Sequence, residues 1–487
     1  MAIRHYISLL FFPLVVGAQT GIEFGNYDPF YDTTQQYREH TAIKPTMRSN
    51  PTFSKKDSLH FFPVVNQIGA VVNKDNATHY SFRTGIGAGM NGYIGENLYL
   101  KALVTGSYFE RDEMTDLRYS ILPNSYLWSG NERIKREIQP IVRASYTPNK
   151  FFNFQVGIDN NFIGEGDRSL ILGDAHAPYP FVQIRSSLWR FEFVNIYQLL
   201  REGPHQDRIS KYASSHYLNF QATKRLQVGV FESVIFDPTD GGNLKRGFEW
   251  EYLNPFLFYR PTEYSIGSQD KIVLGTNFSY HLDSLMIYGQ FVLDDFVLNE
   301  LLNRTRWWAN KYAGQFGFKG KKVTSNNYQF NYLSEINFAR PFIYAHNTPS
   351  TNYGHQGIAL AHPLGANFVE VYSRVEINFK NSLKISADLL FVQQGGQGEN
   401  EHPNHGQDIY WNYIDRPFEY GYRIGGNGKL NRWRTSLELS YSIVPNYRIN
   451  AFVRPILEQR RGIDDKQVVF LFAGIRSDLW TERSFRF

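Results

Sequence analysis

Apolar and polar residues alternate one by one along many stretches of this chain. In the stretch FFNFQVGID, Phe152, Phe154 and Val156 fall on one side, while Asn153 and Gln155 fall on the other. A period of two residues predicts a β-strand whose two faces meet different surroundings. The same pattern recurs in VEVYSRVEINF, in RTSLELSYSI and in the ranges Leu98–Tyr108, His216–Ala222, Ile272–Tyr280, Leu285–Leu293, Leu383–Phe391 and Tyr447–Arg454.

Two β architectures produce such alternation: a soluble sandwich and a membrane-spanning barrel. The alternating stretches run for about 9 to 11 residues, which is the length of a tilted strand across a membrane. In VEVYSRVEINF the charged Glu370, Arg374 and Glu376 lie opposite the aliphatic residues, as a wet barrel interior requires. The chain also ends on the aromatic sequence SFRF, as outer-membrane barrels do. We therefore predict an all-β fold, a transmembrane antiparallel outer-membrane β-barrel of roughly 14 to 18 strands with long loops.

The N-terminal residues have the pattern of a signal peptide. Arg4 and His5 precede an apolar run, and the small residues Gly17 and Ala18 precede Gln19. This run is too short to span a bilayer as a helix, and no cysteine is present there to carry a lipid anchor. The irregular segment that follows either stays in the periplasm or enters the barrel lumen. The predicted divisions are a signal peptide at 1–18, an irregular N-terminal segment at 19–60 and the barrel at 61–487.

Composition excludes several kinds of chemistry. The 487 residues include no cysteine, so disulfides and thiolate metal sites are excluded. The formal net charge is +5 and the two signs are interspersed, so the sequence shows no nucleic-acid-binding stripe. Nucleophilic catalysis needs a nucleophile beside a positioned base. Ser215 and His216 are adjacent, but neighbours in a strand point to opposite faces. We therefore expect no enzyme activity, no catalytic residue and no cofactor.

The stretch NNFIGEGDRSLILGDAHAPYP connects a predicted strand at Phe152–Ile158 with another at Ser187–Phe193. It lacks the spacing of a phosphate-binding loop, and its two carboxylates would repel a phosphate. Long barrel loops face outward or fold into the lumen. We predict that its polar side chains form a cluster at the outer mouth or in the upper lumen and bind a glycan. The predicted glycan-binding residues are Glu165, Asp167, Arg168, Asp174 and His176.

A structural latch is the alternative role for the same cluster. In that case Arg168 pairs with Asp167 or Asp174 and holds the loop shut. Three glycines in the loop let the backbone turn between the charged side chains. The apolar run Leu170–Leu172 is expected to pin the loop against the barrel wall.

Histidines occur in two further loops. His346, His355 and His362 are spaced 9 and 7 residues apart, without the close spacing of metal-binding pairs. The stretch GGQGENEHPNHGQD offers His402 and His405 beside several acids. A divalent cation site and a solvated polar loop are both open for that stretch, and we predict no metal site.

Several motifs, in the same order, resemble outer-membrane proteins of the Wzi-type capsule assembly family. GEGDRSLILGDAHAPYPF is similar to the loop-and-strand motif of that family. The resemblance covers the chain from about Asn160 to its end. Stretches that resemble the related RemB-type proteins of gliding bacteria are YLNPFLFYRPTEYSIGSQDKIVLGTNFSY, YGQFVLDDF, WWANKYAGQFGFK, RPFIYAH and NYGHQGIALAHPLGANF.

This resemblance implies a lectin-like barrel in the outer membrane of a Gram-negative bacterium. Wzi-type proteins retain capsular polysaccharide, and RemB-type proteins are associated with gliding motility and adhesion. The implied partners are surface polysaccharide or capsule, outer-membrane lipid, and other motility or export proteins, with no nucleic acid. A porin-like channel for small solutes is the alternative function. No catalytic residues come with the resemblance.

Overall fold

A closed antiparallel barrel of eighteen strands forms the described part of this chain. Each barrel strand pairs with the next barrel strand in sequence, and the first pairs with the last to close the ring. Among the described residues, no helix is long and apolar enough to span a membrane. The predicted fold class is confirmed, with a strand number at the upper end of the predicted range. The computed structural model describes residues 43–44, 58–74, 77–110, 127–130, 134–202, 210–238, 247, 249–254, 270–324, 328–379, 382–396, 404–426, 428–462 and 465–477.

The barrel strands vary from 8 to 18 residues, so several are longer than the predicted spans. In chain order they are β1 Ser58–Lys74, β2 Ala77–Ile94, β3 Leu98–Glu110, β4 Ile134–Tyr146, β5 Phe152–Asp159, β6 Tyr179–Leu188, β7 Phe191–Arg201, β8 Ser210–Gln221, β9 Leu226–Phe236, β10 Lys271–His281, β11 Leu285–Leu293, β12 Tyr312–Thr324, β13 Tyr328–Ala339, β14 Phe368–Phe379, β15 Leu383–Gln394, β16 Leu430–Val444, β17 Ile449–Gly462 and β18 Lys466–Ser477. Short strands at Ile43–Lys44, Leu127–Gly130, Phe162–Ile163, Gly354–His355 and Ile358–Ala359 and a short helix, Leu298–Leu302, lie outside this series.

Long connections gather at one end of the barrel. The opposite end has turns of two to five residues. Outer-membrane barrels have short periplasmic turns and longer extracellular loops. The long-loop end is therefore the outer mouth. Its longest connections are 111–133, 160–178, 237–270, 294–311, 340–367 and 395–429.

The predicted strand at Ser187–Phe193 is wrong, because a tight turn divides it. β6 ends at Leu188 and β7 begins at Phe191. Trp189 in the turn has a φ of 56°, in the left-handed region. A turn carrying a large aromatic residue lacks the glycine, asparagine or proline that usually marks a turn in a sequence. Tryptophan is favoured there because the turn lies at the membrane interface.

The predicted alternation separates a lipid face from a lumen face. On β16, Leu437, Leu439 and Tyr441 are 44–56% exposed, whereas Ser436 and Glu438 are buried. Outer-membrane barrels carry aromatic girdles where the membrane meets water. This barrel has such a girdle at its short-turn end. Its exposed rings are Tyr146, Phe151, Phe152, Trp189, Phe191, Tyr280, Tyr328 and Tyr441.

The lumen face is not polar everywhere. Where the barrel closes, inward-facing side chains of β1, β17 and β18 form an apolar cluster, which we call the inner apolar patch. It comprises Ile68, Ala70, Val72, Phe452, Ile456, Val468, Phe470 and Phe472. β1 and β18 are therefore largely apolar on both faces, whereas β17 also directs Arg454 and Glu458 into the lumen.

On the outer wall, one segment of the β9–β10 connection lies against the strands. Tyr252 is fully buried there against Val234 and Ile272. Its carbonyl oxygen accepts a 2.7 Å hydrogen bond from Ser214 Oγ. The hydroxyl of Tyr197 donates to the carbonyl of Leu253 at 2.9 Å.

A row of outward-facing polar residues, the outer polar row, lies next to these contacts on the same strands, further towards the middle of the membrane span. Asn195, His216 and Glu232 are paired across β7, β8 and β9 on the outward face. They are only 3–8% exposed, whereas Val230, the next outward residue on β9, is 56% exposed. A charged group facing lipid at mid-span is destabilising, by about 2–4 kcal/mol for Arg or Lys and by less for Asp or Glu. Burial of the row shows that protein, rather than lipid, covers this part of the outer wall.

Most of the N-terminal region lies outside the described residues, including the predicted signal peptide at 1–18. Within the predicted segment 19–60, the described pair Ile43–Lys44 forms a short antiparallel bridge with Phe162–Ile163. The predicted boundaries of the N-terminal segment stay predictions. The aromatic terminus SFRF also lies outside the described residues.

The lipid and lumen faces of β14 make a direct mutational test. Val375 is 39% exposed and faces lipid, and Arg374 beside it is buried in the lumen. We expect Val375→Arg to lower the free energy of unfolding by about 2–4 kcal/mol. Arg374→Gln should cost less, since Asp388 keeps its 2.9 Å ion pair with Arg454. Urea unfolding in lipid vesicles measures both, and a larger loss for Arg374→Gln would contradict the assigned faces.

Candidate functional site

Residues 160–178, the plug loop, fold into the lumen instead of projecting from the outer mouth. Their backbone is held by inward-facing side chains of the barrel wall. Gln290 on β11 accepts a 2.7 Å hydrogen bond from the amide of Leu170 and donates at 3.0 Å to the carbonyl of Ile163. Gln315 on β12 donates to the carbonyl of Arg168 at 3.0 Å. The loop therefore closes part of the lumen through specific contacts.

Two carboxylates of the barrel wall contact the charged turn of the plug loop. Glu335 on β13 accepts hydrogen bonds from the backbone amides of Asp167, at 3.0 Å, and Arg168, at 3.1 Å. Arg168 forms an ion pair with Asp167, and its Nε lies 3.3 Å from Glu370 on β14. A side chain on Gly166 would collide with Glu335, so glycine permits this close approach.

A further ion pair and a ring contact complete this network. Lys319 on β12 donates to Glu165 Oε2 at 3.0 Å. The guanidinium of Arg168 lies 4.5 Å from the centre of the Tyr372 ring. Burial alone would lower the pKa of Arg168, but Glu370 and Asp167 raise it above its usual value. Arg168 is therefore a permanently charged group, fully enclosed between plug and wall.

Asp174 and His176 lie apart from this network. His176 is fully buried, with each ring nitrogen 3.0 Å from a backbone carbonyl, those of Ala177 and Gly173. Asp174 is half-buried. The structure thus brings three of the five predicted residues together in the upper lumen. The ion pair expected of a latch, Arg168 with Asp167, is present, and glycan binding by the five residues stays a prediction.

A second long connection, residues 340–367, packs on the plug loop; we call it the inner loop. Tyr344 and Tyr353 donate hydrogen bonds to the carbonyls of Leu170, at 2.6 Å, and Ile171, at 2.8 Å. Leu170, Ile171 and Leu172 are all fully buried in the largest apolar cluster. The expected apolar pin is therefore present, and it packs against another loop as well as the wall.

The histidines of the inner loop serve as hydrogen-bonding groups. His355 Nδ1 accepts a 3.0 Å hydrogen bond from the amide of Arg201, and His362 Nε2 lies 3.0 Å from Glu370. Burial lowers the pKa of both histidines. Across the described parts of the chain, no group of three or more histidine, aspartate or glutamate side chains is placed to hold a metal ion. His402 lies outside the described residues, and His405 is buried beside Phe418.

Two connections lie at the outer mouth above the inner loop, residues 294–311 and 404–426; we call them the lid loops. They are joined where the amide of Trp308 donates to the carbonyl of Glu419 at 3.0 Å. The guanidinium of Arg416 stacks 4.1 Å from the centre of the Trp308 ring. Tyr413 packs on the same tryptophan with a centroid distance of 4.9 Å. The two lid loops are therefore joined through aromatic and cationic side chains.

The wall residues that receive the plug loop were not predicted as site residues. Alternation places Lys319 in GQFGFKG and Glu335 in YLSEINF on the lumen face. That signal was present in the sequence, and Glu370 was read from it correctly as an inward charge. Nothing in the sequence indicates which loop meets which wall charge, since the partners are about 150–200 residues apart.

No protein-family model and no curated protein matches this sequence. Among solved structures, the fold is similar to Wzi, an outer-membrane protein involved in group 1 capsule assembly in Escherichia coli and described as a carbohydrate-binding β-barrel. The TM-score is 0.53 at 14% identity, covering 85% of this chain and 84% of Wzi. OccK2 (OpdF) of Pseudomonas aeruginosa gives a TM-score of 0.45 at 7% identity, covering 87% and 99% of the two chains. OccAB2 of Acinetobacter baumannii gives 0.43 at 10% identity, covering 86% and 97%. At these identities, the similarity to Wzi shows an outer-membrane β-barrel fold alone.

Glu335→Ala tests the attachment of the plug loop. The amides of Asp167 and Arg168 and the hydroxyl of Tyr288 all donate to this carboxylate. Each buried donor left without an acceptor costs about 1–3 kcal/mol. Because three donors lose their acceptor, we expect the free energy of unfolding to fall by at least roughly 3 kcal/mol. Trypsin should then cut after Arg168, which is enclosed in the wild type. Glu335→Gln, which keeps an acceptor oxygen, is the control. Resistance of Glu335→Ala to trypsin together with an unchanged melting temperature would contradict the latch.

His346 in the inner loop makes stability depend on pH. Burial and the charges of Lys271 and Lys311 lower its pKa to about 3. An unfolded histidine has a pKa of about 6.5, so below that pH the unfolded chain binds a proton that the folded chain does not. The neutral His346 side chain therefore makes its full contribution to the stability of the fold above pH 6.5, and this contribution is lost as pH falls from there towards 3. We expect His346→Asn to flatten the fall in melting temperature between pH 6.5 and 4.5; an unchanged slope would contradict this.

Proposed function

We propose that this protein is an outer-membrane barrel that binds surface polysaccharide at its outer mouth and does not conduct solutes freely. The carrying observation is a lumen that two loops partly fill. The plug loop and inner loop are packed into it through buried ion pairs and an apolar core. A barrel built to pass solutes needs open space along its axis. A barrel built to present a surface benefits from a rigid support beneath it.

The fold similarity supports the same proposal. Wzi is described as a carbohydrate-binding β-barrel, and the motif resemblance from Asn160 onward is to proteins of that type. We infer that the polysaccharide is either a capsule retained on the cell or a glycan used in gliding and adhesion. Deleting the gene, then staining for retained capsule and tracking cell movement on agar, separates these two roles.

Export by the signal peptide at 1–18, outer-membrane lipid as a neighbour, and contacts with motility or export proteins belong to this proposal. So does the absence of catalysis, which rests on fold analogy with a carbohydrate-binding barrel. For the five residues of the plug loop, the proposal favours support over direct contact. Glu165, Asp167 and Arg168 are buried between plug and wall, so a glycan reaches them only if the loop leaves the lumen.

A porin-like channel is the second candidate, because barrels of 16–18 strands leave an aqueous channel when nothing fills them. Eighteen strands surround this lumen. The two candidates differ in what the loops do under a membrane potential.

Conductance across planar bilayers decides between them. We expect the purified full-length protein to give no large, steady single-channel currents, because the plug loop is held by buried charge pairs that are costly to separate. A general porin reconstituted in the same bilayers is the positive control. Steady openings of comparable size by the wild-type protein would favour the channel and would contradict the proposal that the loops block free conduction.

A further inference from the structure

The lid loops carry three exposed arginines on adjoining backbone: Arg304 and Arg306 from one loop and Arg423 from the other. We call them the arginine rim. Within the described residues, no ion pair involves any of these guanidinium groups. The other arginine of the lid, Arg416, is paired with Glu419. The rim therefore presents positive charge to the outside that no acidic side chain of the described residues pairs with.

The backbone beneath the rim is held in an unusual conformation. Arg304 and Arg306 have φ angles of 53° and 59°, in the left-handed region that residues other than glycine rarely adopt. The amide of Gly421 donates to the carbonyl of Thr305 at 3.3 Å, and that of Tyr422 donates to the carbonyl of Arg306 at 3.1 Å. These bonds place the segment beside Arg423. Such local strain persists only where the surrounding structure enforces it, and it is concentrated at ligand sites.

Exposed aromatic rings lie on the same lid loop as Arg423. Tyr420 is 53% exposed and precedes Gly421, to which the rim backbone is bonded. Trp411 and Phe418, from the same lid loop, are 38% and 36% exposed. A flat ring accommodates the apolar face of a sugar, while the planar guanidinium fork matches a carboxylate or sulfate with two parallel hydrogen bonds.

We propose that the arginine rim and Tyr420 form the binding site for an acidic polysaccharide, one whose sugars carry carboxylate groups. This inference rests on the proposed function and specifies the chemistry of its ligand. The arginines bind the carboxylates, and Tyr420 stacks on a sugar ring between them. A neutral glycan would offer no partner to these three exposed guanidinium groups, so neutral chains bind less tightly. The location suits a long polymer, because the rim lies at the outer mouth and is open to the cell exterior.

Binding of two polymers to the full-length protein in detergent micelles tests the site. Alginate, a polyuronate, is the acidic probe and dextran is the neutral one. We expect the wild type to bind alginate more tightly than dextran, with an affinity that falls as salt is added. The triple variant Arg304→Asn, Arg306→Asn, Arg423→Gln should lose about tenfold or more in alginate affinity. Asparagine is chosen at the first two positions because it tolerates the left-handed conformation.

The matched control removes three exposed cations at the opposite end of the barrel, as Lys150→Gln, Lys224→Gln and Arg225→Gln. It should bind alginate like the wild type. Tyr420→Ser separates sugar recognition from simple charge attraction, since it keeps every charge and should still weaken alginate binding several-fold. Heat-modifiable migration on gels confirms that each variant is folded. If the triple variant fails this check, the single variant Arg423→Gln replaces it.

Each other outcome has a distinct meaning. Alginate binding that is equal in the wild type and the rim variant would overturn the assigned site while leaving the proposed function in place. A wild type that prefers dextran would overturn the acidic class and also leave the function in place. A wild type that binds neither polymer would count against both. Unchanged binding by Tyr420→Ser would reduce the rim to a charged surface without sugar recognition.

Discussion

Enclosing charge inside the lumen is the constraint on which the arrangement of the loops depends. A charged group removed from water loses several kcal/mol of solvation, which only well-placed partners restore. Arg168 and Glu165 meet this requirement because β14 and β12 supply Glu370 and Lys319 at matching positions. These pairings therefore restrict the plug loop to very few positions relative to the barrel wall. The inner loop is fixed in turn, because its tyrosines bond to the backbone of the plug loop.

Alternation in the sequence was sufficient to predict the barrel, its two faces and a long connection after Ile158, although the end of that connection was placed several residues too late. It was sufficient because every second residue of a spanning strand faces lipid, so the sequence of each strand indicates which of its residues face lipid and which face the lumen. The turn at Trp189 was missed, since an interface turn can be aromatic and the alternation continues through it. The β1 and β18 part of the inner apolar patch was missed because strands that are apolar on both faces lose the contrast between the faces.

The candidate site was predicted in part, and the limit is physical. Sequence shows which residues are charged, but the role of a charge depends on whether a partner lies opposite it. Arg168 and Arg304 both lie in loops, near a glycine in the first case and next to an asparagine in the second. Arg168 is nevertheless enclosed by three acids, whereas Arg304 is exposed. Spacing along the chain cannot separate them, because the partners of Arg168 come from strands that lie far away in sequence. The same limit hid the arginine rim, because Arg423 lies more than 100 residues after Arg304 and Arg306.

The seam between β1 and β18 determines how the barrel must assemble. Every other neighbouring pair is close in sequence, but this pair joins residues such as Val72 and Phe470. Pairing across such a separation comes late, because the loop-closure entropy is lost before the contact is gained. Until then β1 and β18 are open edges able to pair with other chains. The inner apolar patch lies at this seam, so its apolar side chains come together only as the ring closes, and their burial favours closure over pairing with a second chain.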